Sequence, residues 1–185
     1  MKGFAQRHPV LLLLAGALLG LAVFPRLIER LKAGAEGPTL APGTLLVARP
    51  GGVGSTFDKT VVLLLEAGGE RTWGLVLNRV ATDAGEPLPE GVDRWGGPVS
   101  PDHRVTLVPE AAAPPGARRV LEGVAWHRGP REAGGALTFC GVAAWAPGQL
   151  EEELAQGAWW LVPGSARAVF TPPGSLWAEH AARHL

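Results

Sequence analysis

One cysteine, Cys140, in a chain of 185 residues leaves no intramolecular disulfide framework and no multi-cysteine metal site. The compartment is therefore not fixed by thiols. Net charge is lacking as well: 17 lysines and arginines balance 17 aspartates and glutamates, so no summed field draws in a polyanion, whose binding depends on neutralising several phosphates. With no helix-turn-helix pattern either, direct nucleic-acid binding is not expected. The sequence has no G-x-S-x-G elbow and no H-E-x-x-H pair, and neither repeats nor low-complexity tracts. No catalytic residue, metal site or cofactor is expected from it.

What is present is turn-rich and apolar. Glycine (26) and proline (17) are abundant, yet 46% of residues are hydrophobic, which describes a folded domain and not a disordered chain. The length has room for one such domain. Residues 1–32 are a different material. From Pro9 to Phe24 there is no charge, with Lys2 and Arg7 before the run and Arg26, Arg30 and Lys32 after it. The run is short of the ~20 residues that a helix needs to cross a bilayer, but continuing to Ile28, with Arg26 reaching to the headgroups, closes the gap. A membrane anchor spanning residues 9–28 is expected, single-pass in the inner (cytoplasmic) membrane. The rival reading is a cleaved signal peptide, whose small-residue site, Ala33-Gly34-Ala35, lies beyond several charged residues. Basic residues are nearly balanced across the segment, so the positive-inside rule gives no orientation.

Residues 33–43, "AGAEGPTLAPG", have the composition of a linker, which puts the domain at 44–185. Within it, short β-forming runs alternate with turn signals: Thr44 to Ala48, Thr60 to Glu66, Thr72 to Asn78, Arg104 to Pro109, Arg119 to Trp126, Ala136 to Trp145 and Ala158 to Pro163. The link "AGGE" makes a hairpin of the second and third. Residues 80–94 and 128–135 read as polar surface loops. Two helices follow from the end signals. Pro147 suits a first helical position, Leu150 and Leu154 recur at i, i+4, and Gly157 suits a left-handed stop, giving a helix from Pro147 to about Gln156. A second, from about Ser175 to Leu185, carries the stripe Leu176, Trp177, Ala181, Leu185. Strands first and helices last argue an α+β fold.

Candidate site residues cluster where elements end. Asn78-Arg79 closes a strand, Gly96-Gly97-Pro98 makes a tight turn, and Pro147-Gly148-Gln149 opens a helix with unpaired amides. If these ends meet, they form a backbone-lined pocket for a small anion or a peptide carboxylate, with Arg79 as its cation. The plainer alternative is that Asn78 caps a turn, the glycines serve positive φ and Arg79 is solvated. Trp145, beside the helix start, belongs to the same set, although packing accounts for Trp145, Trp159, Trp160 and Trp177 better than base stacking does. Among Glu151, Glu152 and Glu153, each worth about 0.3–1 kcal/mol at a helix start, the wheel places only Glu151 beside the leucine face. Ser55 reads as a turn residue, Cys140 as a buried inert thiol, and His103 and His127 as solvated. His180 and His184 share a helix face but lack a third zinc ligand.

Eight stretches in order resemble the YqgE/AlgH family of bacterial proteins: "GTLLVARP", "TFDKTVVLLLE", "GLVLNR", "WGGPV", "GVAAWAPGQLEEEL", "GAWWLVP", "VFTPP" and a closing "LW", together covering Gly43 to Leu185. The resemblance implies a compact α+β domain with a bifurcated, barrel-like, mostly antiparallel sheet, C-terminal helices and a cytoplasmic location. It implies no established activity; some members carry the label of transcriptional regulator. This chain departs from the pattern at Gly54-Ser55, where the family has Asp-Pro before the phenylalanine, and at Ala144 and Ala146, where glycines flank the tryptophan. The segments after "NR" and before the tryptophan motif are shortened, and the anchor is an addition. The reading is a membrane-tethered, non-enzymatic regulatory domain that binds a protein partner. The alternative is a small hydrolase or anion-binding enzyme using Glu151, Arg79 and Asn78.

Overall fold

The computed structural model describes residues 39–52, 54–68, 70–82, 85–132 and 134–185. The expected anchor over residues 1–32, with its span at 9–28, lies outside the described residues. Among the described residues no helix is long and apolar enough to cross a membrane.

The apolar runs become strands: β1 (Thr44–Ala48), β2 (Val61–Glu66), β3 (Thr72–Val76), β5 (Val99–Pro109), β8 (Leu137–Trp145) and β9 (Trp159–Pro163). The short β4 (Arg94–Trp95) and the pair β6 (Arg118–Leu121) and β7 (Val124–Arg128) complete the sheet. Three helices sit near the end: α1 (Gln149–Ala155), α2 (Ala166–Phe170) and α3 (Pro173–Ala181). The strands run in the order β6-β7-β5-β8-β3-β2-β1-β9 in a curled half-barrel, and β4 joins β8 off this path. Every pairing is antiparallel except that of β4 with β8. The fold is thus α+β with a mostly antiparallel sheet and C-terminal helices.

β1 and β2 are continuous apolar runs because both faces of the sheet are covered there. Leu45, Val47, Leu63 and Leu75 face one core cluster, closed by Phe139, Val169 of α2 and Leu176 of α3. Leu46, Val62, Leu64 and Val76 face the other, closed by Trp95, Trp145, Trp159 and Leu150 of α1. Trp177 fastens α3 to β1 by donating its indole N–H to the Ala48 carbonyl at 2.8 Å.

β8 changes neighbours along its length. Phe139 and Cys140 lie between β5 and the parallel β4, whereas Ala143 to Trp145 pair with β3. The change happens at Gly141, which has φ 69°, and a Cβ there would stand 2.1 Å from the Gly97 carbonyl oxygen. Only glycine lets these two backbones touch. Across from Gly141 the register of β5 jumps, from Val99 opposite Val142 to Arg104 opposite Cys140, so Ser100 to His103 arch away from the ladder.

Three details differ from expectation. The run Arg119 to Trp126 is not one strand but the hairpin β6–β7, turned at Glu122-Gly123 with Gly123 at φ 77°. The polar stretch after Asn78 ends in β4 and not in loop. The last helix begins at Pro173 and stops at Ala181, which leaves Leu185 exposed.

Gly141→Ala is expected to cost about 3 kcal/mol or more, since strain at positive φ adds to a backbone clash. Gly116→Ala, also at positive φ (85°) but with nothing within 4 Å of the new Cβ, should cost only about 1–2 kcal/mol. Urea unfolding followed by near-UV circular dichroism compares them. Equal losses would mean that the Gly141–Gly97 approach carries no special constraint.

Candidate functional site

Asn78 and Arg79 turn toward the segment that leads into β2. The Asn78 Oδ1 accepts from the Val61 N–H at 2.9 Å and its Nδ2 donates to the Lys59 carbonyl at 2.9 Å, pinning a backbone that holds Lys59 at φ 52°. The Arg79 guanidinium donates to the Asp58 carbonyl. Gly96 is buried, its amide donating to the Cys140 carbonyl at 2.7 Å and its carbonyl accepting from Val76 at 2.9 Å. Gly97 packs against the backbone of Val142 and Ala143, and Pro98 lies at the surface. Pro147, Gly148 and Gln149 are exposed just beyond Trp145, with Gly148 left-handed at φ 81°. No hydrogen bond joins this helix start to the other two turns among the described residues. The three turns of the expected anion pocket are therefore not joined in one hydrogen-bond network among the described residues. Its first two turns do meet, through Trp95 N–H to the Arg79 carbonyl at 2.9 Å, but their polar groups are used in stitching strands together.

The expectation for Glu151 is corrected. Glu151 and Glu152 are exposed, and Glu153 is the residue turned inward. Its Oε2 accepts from the indole N–H of Trp145 at 3.0 Å and of Trp159 at 2.8 Å, and its Oε1 accepts from Gln149 Nε2 at 3.0 Å. α1 ends at Ala155, and its face centres on Leu150, which is 0% exposed. Glu153 then lies about 60° from that centre and Glu151 about 100°, at 3.6 residues per turn. Phe57 completes the cluster, with its ring centroid 6.3 Å from that of Trp145 and 5.9 Å from that of Trp159. Trp145 is thus a buried packing residue with a satisfied polar end.

Arg94 is a residue that sequence reasoning missed. Only 5% exposed, it donates from Nη1 to the Leu77 carbonyl at 2.6 Å and to the Val169 carbonyl at 3.2 Å, and from Nη2 to the Thr171 carbonyl at 2.8 Å. Burial lowers its pKa, against the opposing pull of the Asp93 carboxylate. The available signal was an Arg-Trp pair inside an otherwise polar stretch.

The remaining candidates sort plainly. Cys140 is 3% exposed, and burial raises its thiol pKa while Arg104 opposes the shift. Burial, then Arg183, lowers that of His180. His184 stacks on Trp160 at 5.0 Å between centroids. No group of three or more His, Cys, Asp and Glu residues that could hold a metal occurs among the described residues.

An open cleft of about 380 Å³ lies on the far side of β8's split, where the β5 arch stands away from the ladder. Val142 and Ala144 form its floor, Arg71 and Trp73 one wall, and Val99, Ser100 and His103 the other, with Arg128 at the end of β7 and Glu70 also on the rim. Ala144 stands at one of the positions that depart from the glycine-flanked tryptophan motif.

A family model described as AlgH-like matches residues 45–184. A UPF0301 protein of Streptomyces coelicolor is 42% identical over 160 aligned residues, covering 74% of this chain and 83% of that one. One of Streptomyces avermitilis is 40% identical over 163 aligned residues, with the same shares. Among solved structures, a Corynebacterium diphtheriae protein superposes with TM-score 0.64 at 24% identity, over 80% of this chain and 89% of that chain. The AlgH protein of Pseudomonas aeruginosa superposes with TM-score 0.60 at 26% identity, over 80% and 90%.

Two measurements check the geometry. Glu153→Gln removes the charge that strengthens both indole bonds and sets an amide N–H₂ against either the two indoles or the Gln149 amide, so it should cost roughly 1.5–3 kcal/mol, whereas Glu151→Gln and Glu152→Gln should stay within about 0.5 kcal/mol. Thermal unfolding of the three variants gives the ranking, and a larger loss at Glu151 would overturn the clamp. Cys140 should react slowly with a thiol reagent in the native protein and rapidly in urea; fast stoichiometric labelling of the native state would contradict its burial.

Proposed function

We propose a function for a chain that belongs to the AlgH-like (UPF0301) family: a membrane-tethered, non-enzymatic domain that binds a protein partner and acts in regulation. The observation that carries the binding reading is the disposition of the groups a hydrolase would need. Asn78 and Arg79 are engaged with the carbonyls of Lys59 and Asp58, and Glu151 is exposed on another element. A general base must come within hydrogen-bond reach of the proton it takes and of the groups that hold the substrate. Among the described residues no hydrogen bond or ion pair joins any two of the three. The tether rests on the uncharged run from Pro9 to Phe24, extended to Ile28. The cytoplasmic side for the globular domain follows the family resemblance alone.

Full-length protein should sediment with membranes and resist alkaline and high-salt extraction, while a chain beginning at Thr39 should stay in the supernatant. A mature protein that starts after Ala35 and is found free of membranes would overturn the tether. Crosslinking in intact membranes, followed by purification of the chain, should return one stoichiometric protein partner. A chain that crosslinks to nothing but turns over a small substrate, with the activity lost in Arg79→Ala, would favour the enzyme over the binding domain.

A further inference from the structure

We propose that the cleft between β3, β8 and the arched start of β5 is a binding site for a small organic oxyanion: an apolar body of aromatic size that carries a carboxylate or a phosphate group. The proposal does not depend on the tether or on the protein partner.

Its size comes first. A volume of about 380 Å³ falls in the range of small-molecule sites, roughly 300–1,000 Å³, and is too small for a folded partner. The floor comes second. Val142 and Ala144 of β8 and the half-buried Trp73 give an apolar surface that an aromatic or branched group covers at the cost of little ordered water. Charge comes third. Arg71 and Arg128 are both exposed and border the same cleft, from opposite walls, against one carboxylate, that of Glu70. Three other surface arginines are paired, Arg118 with Glu66 at 2.8 Å, Arg119 with Glu110 at 3.4 Å and Arg131 with Asp93 at 2.8 Å, while the exposed Arg49, Arg167 and Arg183 have no such partner among the described residues but lie outside this cleft. Among the described residues neither Arg71 nor Arg128 has such a carboxylate. A guanidinium offers a planar fork that fits the two oxygens of a carboxylate or phosphate, and two forks facing one apolar floor select a ligand with an anionic head and an apolar body. His103 on the arch adds a ring N–H, and the arch exists because the β5 ladder skips Ser100 to His103 opposite Gly141. The fold thereby opens the cleft at its own irregularity, without borrowing any polar group that holds the sheet together.

The test uses the full-length chain in phosphatidylcholine nanodiscs, with empty discs as the partition control and fluorine NMR of the ligand as readout. The probes are 4-(4-fluorophenyl)butanoate, 4-(4-fluorophenyl)butyl phosphate, the uncharged 4-(4-fluorophenyl)butan-1-ol and inorganic phosphate. At least one of the two anionic probes should bind about tenfold or more tighter than the alcohol, as expected for charged hydrogen bonds. Whichever of carboxylate and phosphate binds tighter identifies the head group. The Arg71→Ala/Arg128→Ala double variant should lose that preference, Ala144→Leu should lose all binding by filling the floor, and Arg118→Ala should keep wild-type affinity. Each altered side chain is exposed, and an unchanged melting temperature verifies that the variants fold. Equal binding of acid and alcohol overturns the proposal, as does wild-type affinity in the double variant. Inorganic phosphate matching the phenyl probes overturns the apolar body, and no binding by any probe overturns the site.

Discussion

The fold depends on a charge held inside it. Arg94 sits between the end of β3 and the end of α2, and its guanidinium takes the carbonyls of Leu77, Val169 and Thr171 at once. Those carbonyls face inward at places where a strand and a helix stop, so no ladder or helical partner remains for them. Burying a guanidinium is expensive unless its donors are used, and here the same bonds that satisfy the arginine satisfy the chain ends. β4 exists to carry this residue. Two residues of parallel pairing with β8 set Arg94 at the right depth, and Asp93 beside it accepts from the Thr138 amide at 2.8 Å and from Arg131 at 2.8 Å, fixing the strand from its outer side.

The other face of the sheet is closed by a charge of opposite sign. α1 has seven residues, too few to hold its conformation alone. Leu150 supplies apolar burial, worth about 1.5–3 kcal/mol for such a side chain, and Glu153 ties the indoles of Trp145 and Trp159, which end β8 and begin β9. Both core faces thus use one ionised side chain to lock a short helix against strand ends, Arg94 through backbone carbonyls and Glu153 through indole donors. The pair accounts for a domain this rich in glycine and proline keeping defined elements: the irregular segments are short and each is fastened at a corner.

What the sequence made legible was what repeats. β1, β2, β3, β8 and β9 are runs of apolar residues, and burial on both faces turns such runs into strands at nearly the expected bounds. β4 has two residues and no period to detect. The hairpin β6–β7 hides in one apolar stretch because its turn needs only Glu122-Gly123, and α2, five residues long, is held by Ser165 capping the Ala168 amide and by Arg94, neither of which leaves a periodic trace. Glu153 was missed for a geometric reason: on a short helix the inward side is chosen by what stands opposite, and the indoles of Trp145 and Trp159 reach that spot only after β8 and β9 are placed. The motif resemblance carried the fold class, and the expected membrane segment lies outside the described residues.

The same constraint engages the turns of the first candidate site within the fold. Residues that stand out in a sequence as polar groups at strand ends, such as Asn78, Arg79 and Gly96, are those a fold with many short strands needs to close its corners. A donor that already holds a backbone carbonyl has to give up that bond to reach a ligand, and the loss offsets the gain. Arg71, His103 and Arg128 stand in the other situation. Arg71 precedes β3, His103 lies on the β5 arch and Arg128 ends β7, and among the described residues no hydrogen bond of their side chains holds the sheet, so a ligand there displaces water and not a structural bond. Their convergence on one cleft follows from the split of β8 at Gly141, which swings β3 to one side and the arch of β5 to the other. The constraint that forbids a side chain at Gly141 is thus also the one that opens the surface where binding costs the fold nothing.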